Sequence, residues 1–141
     1  SQNNKQYFLE IADNWFLEND GPNDNGKIYE NKIIHQVLDS SSLFNLRGGI
    51  LFIENVPIAM TLASAINNTT VDIHFEKAIS EYAKHGAYAV INQKFAKTLA
   101  KDFKYINREE DLGIEGLRKA KLSYYPAKIL EKWTAIKTEK N

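Results

Sequence analysis

The residues with most potential for chemistry lie between positions 105 and 126, where acidic, basic and aromatic side chains surround two glycines. Arg118 and Lys121 are three residues apart, so on a helix they share one face and can together grip a phosphate or a carboxylate. Tyr124 follows them and offers a phenol as a general acid. The alternative is a surface helix with solvated charges, and the spacing alone leaves both interpretations open.

An acidic residue and two glycines mark the start of this segment. Asp111 stands where an N-cap belongs, because its carboxylate can accept from the free amides of a first helical turn. Gly113 and Gly116 would each cost a helix about 1 kcal/mol relative to alanine. We therefore expect close backbone approach there, either by a packed strand or by a ligand.

A second candidate site follows the third strand that the pattern predicts. Glu76 and Lys77 come at the end of that strand, and Gly86 directly precedes a helical stretch. The amide groups at a helix N-terminus can bind an anion. These residues are therefore candidates for ligand binding, with an ordinary turn as the alternative.

Other nucleophiles and bases give weaker signals. The chain has no Cys, which excludes disulfides, thiolate metal ligands and a cysteine nucleophile. Its histidines, His35, His74 and His85, are scattered, so we predict no metal site and interpret each as a surface or capping residue. No paired base is evident for the serines of the run 40–42.

Length and composition indicate one folded domain over residues 1–141, with 43% hydrophobic and 26% charged side chains. The net charge is zero, which argues against DNA binding. Residues 1–30 are net acidic and residues 101–141 net basic, so the C-terminal part could attract an anionic partner such as a nucleotide, a coenzyme or tRNA. The alternative is ordinary surface charge without a partner. No run approaches the ~18 apolar residues that cross a bilayer. The polar start is no signal peptide, and we expect a cytoplasmic protein.

Hydrophobic periodicity predicts the elements that position these residues. Tyr7, Ile11 and Trp15 recur every four residues and predict a first helix, followed by a surface loop over 19–26. Alternation and turn residues predict three antiparallel strands. The fold class is therefore α+β, a mixed, mostly antiparallel sheet flanked by helices. Further elements are helices over 30–43, 87–99 and 112–122, and strands over 50–53, 58–66, 71–76, 105–107 and 129–135.

A family resemblance rests on the segments 75–78, 86–88, 91–96 and 105–124. The last contains Asn-Arg-Glu-x-Asp-x-Gly-x-x-Gly-Leu-Arg-x-x-Lys, beginning at Asn107, a pattern rarely met by chance. The chain resembles the phosphatidylglycerol lysyltransferase C-terminal-like family, which has a GNAT acyltransferase fold. Complete members look like two such modules in tandem. The resemblance, over about residues 48–130, therefore implies that this chain is the second module and has a companion module.

The resemblance also implies an activity, transfer of an aminoacyl group from an aminoacyl-tRNA-type donor to an amine or hydroxyl acceptor, with no tightly bound cofactor. It implies that Glu76, Glu109 and Asp111 hold the cationic amine or act as the base. Tyr124 is the implied proton donor. Ligand binding is assigned to Lys77, Gly86, Asn107, Arg108, Gly113, Gly116, Arg118 and Lys121, the last two at the anionic or carboxylate end of the donor.

Two other functions remain open. One is an acyl-coenzyme A-dependent N-acyltransferase, although the loop before Gly86 lacks the Arg/Gln-x-x-Gly-x-Gly/Ala pattern that cradles the coenzyme's pyrophosphate in most acetyltransferases. The other is a non-catalytic binding or assembly module, in which Arg108, Glu109, Asp111 and Arg118 form a buried network.

Overall fold

The computed structural model describes residues 2–109 and 112–137. The chain divides into two units, residues 1–109 and residues 110–141. The first contains the helices α1 (Gln2–Glu18), α2 (Asn25–Asp39), α3 (Ser41–Phe44), α4 (Ser80–Ala83) and α5 (Ala87–Leu99), and the strands β1 (Arg47–Ile53), β2 (Val56–Ala65), β3 (Thr70–Ala78) and β4 (Tyr105–Asn107). The second contains α6 (Glu115–Leu122).

The sheet of the first unit has the order β1-β2-β3-β4 in the described residues. The first two pairs are antiparallel, and β3 pairs with β4 in parallel. A parallel pair needs a long crossover, which the segment containing α5 supplies. This arrangement confirms the predicted α+β class with a mostly antiparallel sheet.

Apolar side chains cover both faces of this sheet. On one face, α1 and α2 pack against β2 through a cluster that includes Ile11, Ile34 and Met60. On the other, α5 presents buried residues spaced four apart, which pack against β2 and β3. They are Ala87, Ile91, Phe95 and Leu99. The four-residue spacing puts them on one side of the helix.

The helix α2 begins five residues before the predicted start at residue 30. Asp24 caps it, because its Oδ1 accepts from the amides of Gly26 at 2.9 Å and Lys27 at 3.1 Å. The predicted loop over 19–26 is correspondingly shorter and contains a 3₁₀ turn, Gly21–Asn23. The helix also ends at Asp39 rather than residue 43, and α3 follows as a separate turn.

A β-bulge at His74 shifts the register of β3. Leu62 pairs with Phe75 and Ala63 pairs with Ile73, so His74 is the extra residue between them. Ile73 therefore packs on the α5 face, whereas Phe75 packs against the α1/α2 cluster.

The second unit differs from the prediction in two ways. The structure assigns no strand to residues 129–135, so the predicted last strand is wrong. The last helix starts at Glu115 rather than at residue 112 or 113, and Gly113 precedes it with φ +73°. Apart from the chain neighbours and the helix's own backbone, no atom of the described residues lies within 4 Å of a Cβ built on Gly113 or Gly116, so no strand packs against either glycine there and approach by a ligand remains a prediction. The left-handed backbone accounts for glycine at 113.

Candidate functional site

The site lies where β3 and β4 part. Their parallel pairing covers Thr70–Asp72 with Tyr105–Asn107, after which β4 ends and β3 continues to Ala78. His74 comes two residues after the paired part of β3, and Glu109 two residues after β4. The His74 Nδ1 and the Glu109 Oε1 are 3.4 Å apart, so these side chains bridge the gap between the strands.

His74 has further polar partners on the same face. Its Nε2 lies 2.7 Å from the Ser64 Oγ, and its Nδ1 lies 3.7 Å from the Asp72 Oδ2. Ser64 pairs directly with Asp72 across β2 and β3. Together, Ser64, Asp72, His74 and Glu109 form what we call the histidine cleft.

The two carboxyl groups of the histidine cleft differ in environment. Asp72 is 15% exposed at its side chain, and Glu109 is 50% exposed. Burial, followed by the charge of nearby Glu109, raises the pKa of Asp72 above its ordinary value. Asn107, a predicted ligand-binding residue, pairs with Asp72 and hydrogen-bonds its carboxyl group. Asp72 is therefore the carboxyl group of the histidine cleft whose ionised form is disfavoured by its surroundings.

An open cavity of about 290 Å³ borders the histidine cleft. Its polar lining comes from Ser64, His74 and Glu109, and apolar side chains of α2, α3, the following loop and β3 form the rest. The latter are Ile33, Val37, Phe44, Leu46 and Phe75. Such a cavity suits a small, mostly apolar group with a reactive polar end.

The donor atoms of Asp72, His74 and Glu109 all lie within 4.8 Å of one another. A divalent cation accepts this combination of imidazole and carboxylates. These are the residues of the histidine cleft that could hold a metal, although the sequence predicts none.

The other face of the parting strands carries an ion pair. The Arg108 Nη2 donates to the Glu76 Oε1 at 2.9 Å, and the Asn92 Nδ2 of α5 lies 3.3 Å from the Glu76 Oε2. The side chains of Glu76 and Arg108 are only 12% and 24% exposed. We call Glu76, Asn92 and Arg108 the arginine cluster. Because Glu76 already accepts from two donors, its predicted role as a base is less favoured than a role in the fold.

Lys77 and Gly86 lie apart from the histidine cleft. Lys77 is buried, with its ammonium 3.5 Å from the centre of the Trp15 ring and paired with Glu30. Burial lowers the pKa of Lys77, which Glu30 offsets in part. Gly86 is the N-cap residue of α5, with φ +88°. Apart from its chain neighbours, no atom of the described residues lies within 4 Å of a Cβ built on Gly86.

The other predicted site residues belong to the second unit. Gly116, Arg118 and Lys121 lie on α6, and Tyr124 follows the helix, with its amide 3.3 Å from the Lys121 carbonyl oxygen. Asp111 is outside the described residues, so its predicted role as a base remains a prediction. The predicted helix cap at residue 111 is wrong, because α6 begins at Glu115 and its N-cap position is Ile114. The side chain of Glu109 is half-exposed, and the predicted network of Arg108, Glu109, Asp111 and Arg118 remains a prediction.

Sequence reasoning missed Ser64 and His74. Alternation placed His74 opposite the apolar side of its strand, and nothing local connected it with a serine ten residues earlier. The signal that could have been found is the sequence Asp-x-His within a strand, since alternate residues share a face and Asp72 therefore lies beside His74. The contacts of His74 with Ser64 on β2 and with Glu109 after β4 depend on how the strands pair, which the local sequence does not show.

Comparisons with known proteins complete the description. The family model "Phosphatidylglycerol lysyltransferase, C-terminal" matches residues 1–136, a longer stretch than the 48–130 expected from the motifs. No curated protein sequence matches the chain. No helix in the described residues is long and apolar enough to cross a membrane.

Solved structures show the same fold. A conserved protein of unknown function from Bacteroides thetaiotaomicron VPI-5482 is 40% identical, with a TM-score of 0.82 over 92% of this chain and 43% of that chain. This chain thus spans less than half of that protein. A possible acetyltransferase from Clostridium difficile 630 is 8% identical, with a TM-score of 0.70 over 99% of this chain and 95% of that chain.

An aminoglycoside acetyltransferase, meta-AAC0020, from an uncultured soil metagenomic sample was solved in complex with sisomicin. It is 12% identical, with a TM-score of 0.70 over 99% of this chain and 93% of that chain. At such low identity, the two acetyltransferases show the fold alone. The chain belongs to the phosphatidylglycerol lysyltransferase C-terminal family and has a GNAT-like acyltransferase fold.

Proposed function

We propose that this chain is the acyl-transfer module of a longer enzyme, which moves an aminoacyl group from an aminoacyl-tRNA-type donor to an amine or hydroxyl acceptor. The observation that carries the proposal is His74, held at the parting of β3 and β4 between a hydroxyl and two carboxyl groups. This is the arrangement of a general base whose ring is oriented by an acid.

His74 would act on the proton of the acceptor. An ionised carboxylate can only accept, so Glu109 favours the tautomer with the proton on Nδ1 and a free lone pair on Nε2. Nε2 can then take the proton as the acceptor attacks the donor carbonyl, and return it to the leaving oxygen. Glu109 and Asp72 supply negative charge for the resulting imidazolium or for the ammonium of an aminoacyl donor.

Residues of the second unit remain candidates for binding the donor. Residues 101–141 are net basic, and Arg118 and Lys121 remain our candidates for its anionic or carboxylate end. Gly113, Gly116 and Tyr124 are further candidates, for donor binding and proton donation. A companion module, which the length of the Bacteroides protein supports, would supply the remaining surface.

An acyl-coenzyme A donor is the second candidate. The observation that favours it is the N-terminus of α5, where Gly86 adopts a left-handed backbone and no side-chain cap hydrogen bond is present. The amides of this first turn can face a phosphate. The loop from 79 to 86 has only one glycine, so we rank this donor below an aminoacyl-tRNA.

The test compares H74Q with wild type in the full-length protein, using radiolabelled aminoacyl-tRNA and acetyl-coenzyme A as alternative donors. We expect transfer from aminoacyl-tRNA to fall about a hundredfold in H74Q, the usual scale for a lost general base. H35Q is the matched control, since His35 contacts Asp13 on α1 rather than the cleft.

Each outcome decides between the functions. Transfer from acetyl-coenzyme A alone would replace the donor that we propose. Absence of transfer from both donors in the wild type would favour a non-catalytic module. Equal activity of H74Q and H35Q would remove His74 from the mechanism.

A further inference from the structure

We propose that Ser64 is a nucleophile, which takes the acyl group as a covalent ester before it passes to the acceptor or to water. This inference rests on the proposed acyl-transfer function and adds a step to it. Its basis is the Ser64 Oγ, 2.7 Å from the Nε2 of a histidine whose Nδ1 is 3.4 Å from a carboxylate. A hydroxyl, a base and an orienting acid in this order are the signature of an activated nucleophile.

The backbone explains why these groups meet. Ser64 pairs with Asp72 on the neighbouring strand, and His74 follows as the extra residue of the bulge. Strand neighbours two apart normally share a face, so His74 stands beside Asp72 and next to Ser64. Bulges re-aim side chains near functional sites. Alternation thus places the imidazole on the same face as the serine hydroxyl, and the bulge brings Phe75 to that face beside it.

The cavity gives the acyl group a place beside Ser64. Ser64 and His74 line it together with five apolar side chains, and its volume is about 290 Å³. This is near the lower limit for small-molecule sites. The fitting group is therefore a short acyl chain or the side chain of one amino acid, with its carbonyl carbon at the Ser64 Oγ.

The proposed step balances without a further reactant. The Ser64 Oγ bonds to the acyl carbon while its proton moves to the His74 Nε2, and the donor's bond to its leaving oxygen breaks as that oxygen takes the proton. In the second step an amine, alcohol or water attacks the ester and loses its proton to His74. The Ser64 Oγ leaves and takes that proton back. Neither step changes an oxidation state.

A divalent cation is the competing use of these side chains, since three donor atoms of the cleft lie within 4.8 Å of one another. The Ser64 hydroxyl distinguishes the two uses, because it occupies the Nε2 side and is not one of those donors. The nucleophile proposal uses the contacts of His74 with both Ser64 and Glu109, whereas a metal on the Nδ1 side leaves Ser64 without a role.

The experiment treats the full-length protein with a fluorophosphonate and, separately, with p-nitrophenyl butyrate. Peptide mapping by mass spectrometry should place the phosphonate adduct of the wild type on Ser64, a result that depends on no variant folding. S64A and H74Q should lower p-nitrophenol release at least a hundredfold. S42A, at an exposed serine of α3, is the matched control and should release p-nitrophenol like the wild type.

The outcomes separate this inference from the proposed function. If S64A transfers from aminoacyl-tRNA normally while H74Q does not, direct transfer stands and the covalent step is overturned. If neither variant changes transfer and no adduct forms, both proposals fail. If EDTA abolishes ester turnover in the wild type and no adduct appears on Ser64, the metal site replaces the serine.

Discussion

The two faces of the parting strands use similar residue types for opposite purposes. On the α5 face, the carboxylate of Glu76 and the guanidinium of Arg108 form an ion pair in the arginine cluster, and Glu76 is only 12% exposed. On the α2 face, the histidine cleft leaves Glu109 half-exposed and borders an open cavity. A largely buried carboxylate that is paired with a guanidinium stabilises the fold. A titratable group that lines an open cavity can exchange protons with a ligand.

This contrast assigns two acidic residues of the segments that carry the family resemblance by environment rather than by type. Glu76 and Glu109 have the same side chain and lie near the ends of neighbouring strands, yet only Glu109 contacts a histidine and a cavity. We therefore assign Glu76 to stability and Glu109 to positioning of the base. Variants of the two residues should separate these roles.

The largest expected effect is on stability, from E76A. Removing one partner of a largely buried ion pair leaves the other charge desolvated, which costs about 3 kcal/mol. Urea unfolding of E76A should show this loss, while E10A, at an exposed glutamate of α1, should unfold like the wild type. If E76A unfolds like the wild type but loses transfer activity, Glu76 is catalytic and the sequence-based prediction was right.

The arginine cluster also shows which features the sequence predicts and which it does not. The sequence indicates Glu76 as the end of a predicted strand and Arg108 as part of the motif that begins at Asn107, but neither observation shows that the two residues contact each other. That contact exists because β3 and β4 are parallel neighbours, and this pairing joins segments more than thirty residues apart. Local spacing predicts elements well, as for α5 and β4, whose bounds were confirmed.

The failures have a common physical origin in long-range pairing. The predicted strand over 129–135 rests on apolar residues at plausible spacing, but a strand needs a partner for its backbone groups, and the sequence cannot show one. Likewise, the alternation along β3 does not reveal the bulge, since one extra residue changes which side chains share a face. The alternation therefore does not predict that Phe75 lies on the same face as His74, where both line the cavity.

The next effect is on catalysis, from E109Q. We expect kcat to fall about tenfold with little change in KM, because the amide keeps the size of the side chain but not the charge that stabilises an imidazolium. E109D should restore part of kcat by returning that charge. Steady-state kinetics measure the effect on catalysis, and thermal melts measure the effect on stability. A lower melting temperature in E109Q, together with failure of E109D to rescue kcat, would indicate a structural role for Glu109.

The smallest effect is the pH dependence of stability in D72N. Folding raises the pKa of Asp72, so the wild type loses stability as the pH rises from the ordinary value of 3.8 through that raised pKa. Asn cannot ionise and avoids this loss, so D72N should be more stable at pH 7 by less than about 1 kcal/mol. Thermal melts between pH 3 and pH 8 should show the gain vanish in acid.

An aspartate whose pKa shifts in the opposite direction, Asp39, provides the control for D72N. Lys5 lowers the pKa of Asp39, so the ionised form of Asp39 favours folding above the ordinary value. D39N should therefore be less stable than the wild type at pH 7 and equal to it in acid. If D72N instead behaves like D39N, ionised Asp72 stabilises the fold by pairing with His74. The histidine cleft would then resemble the arginine cluster, as a closed set of charges rather than a site prepared for a ligand.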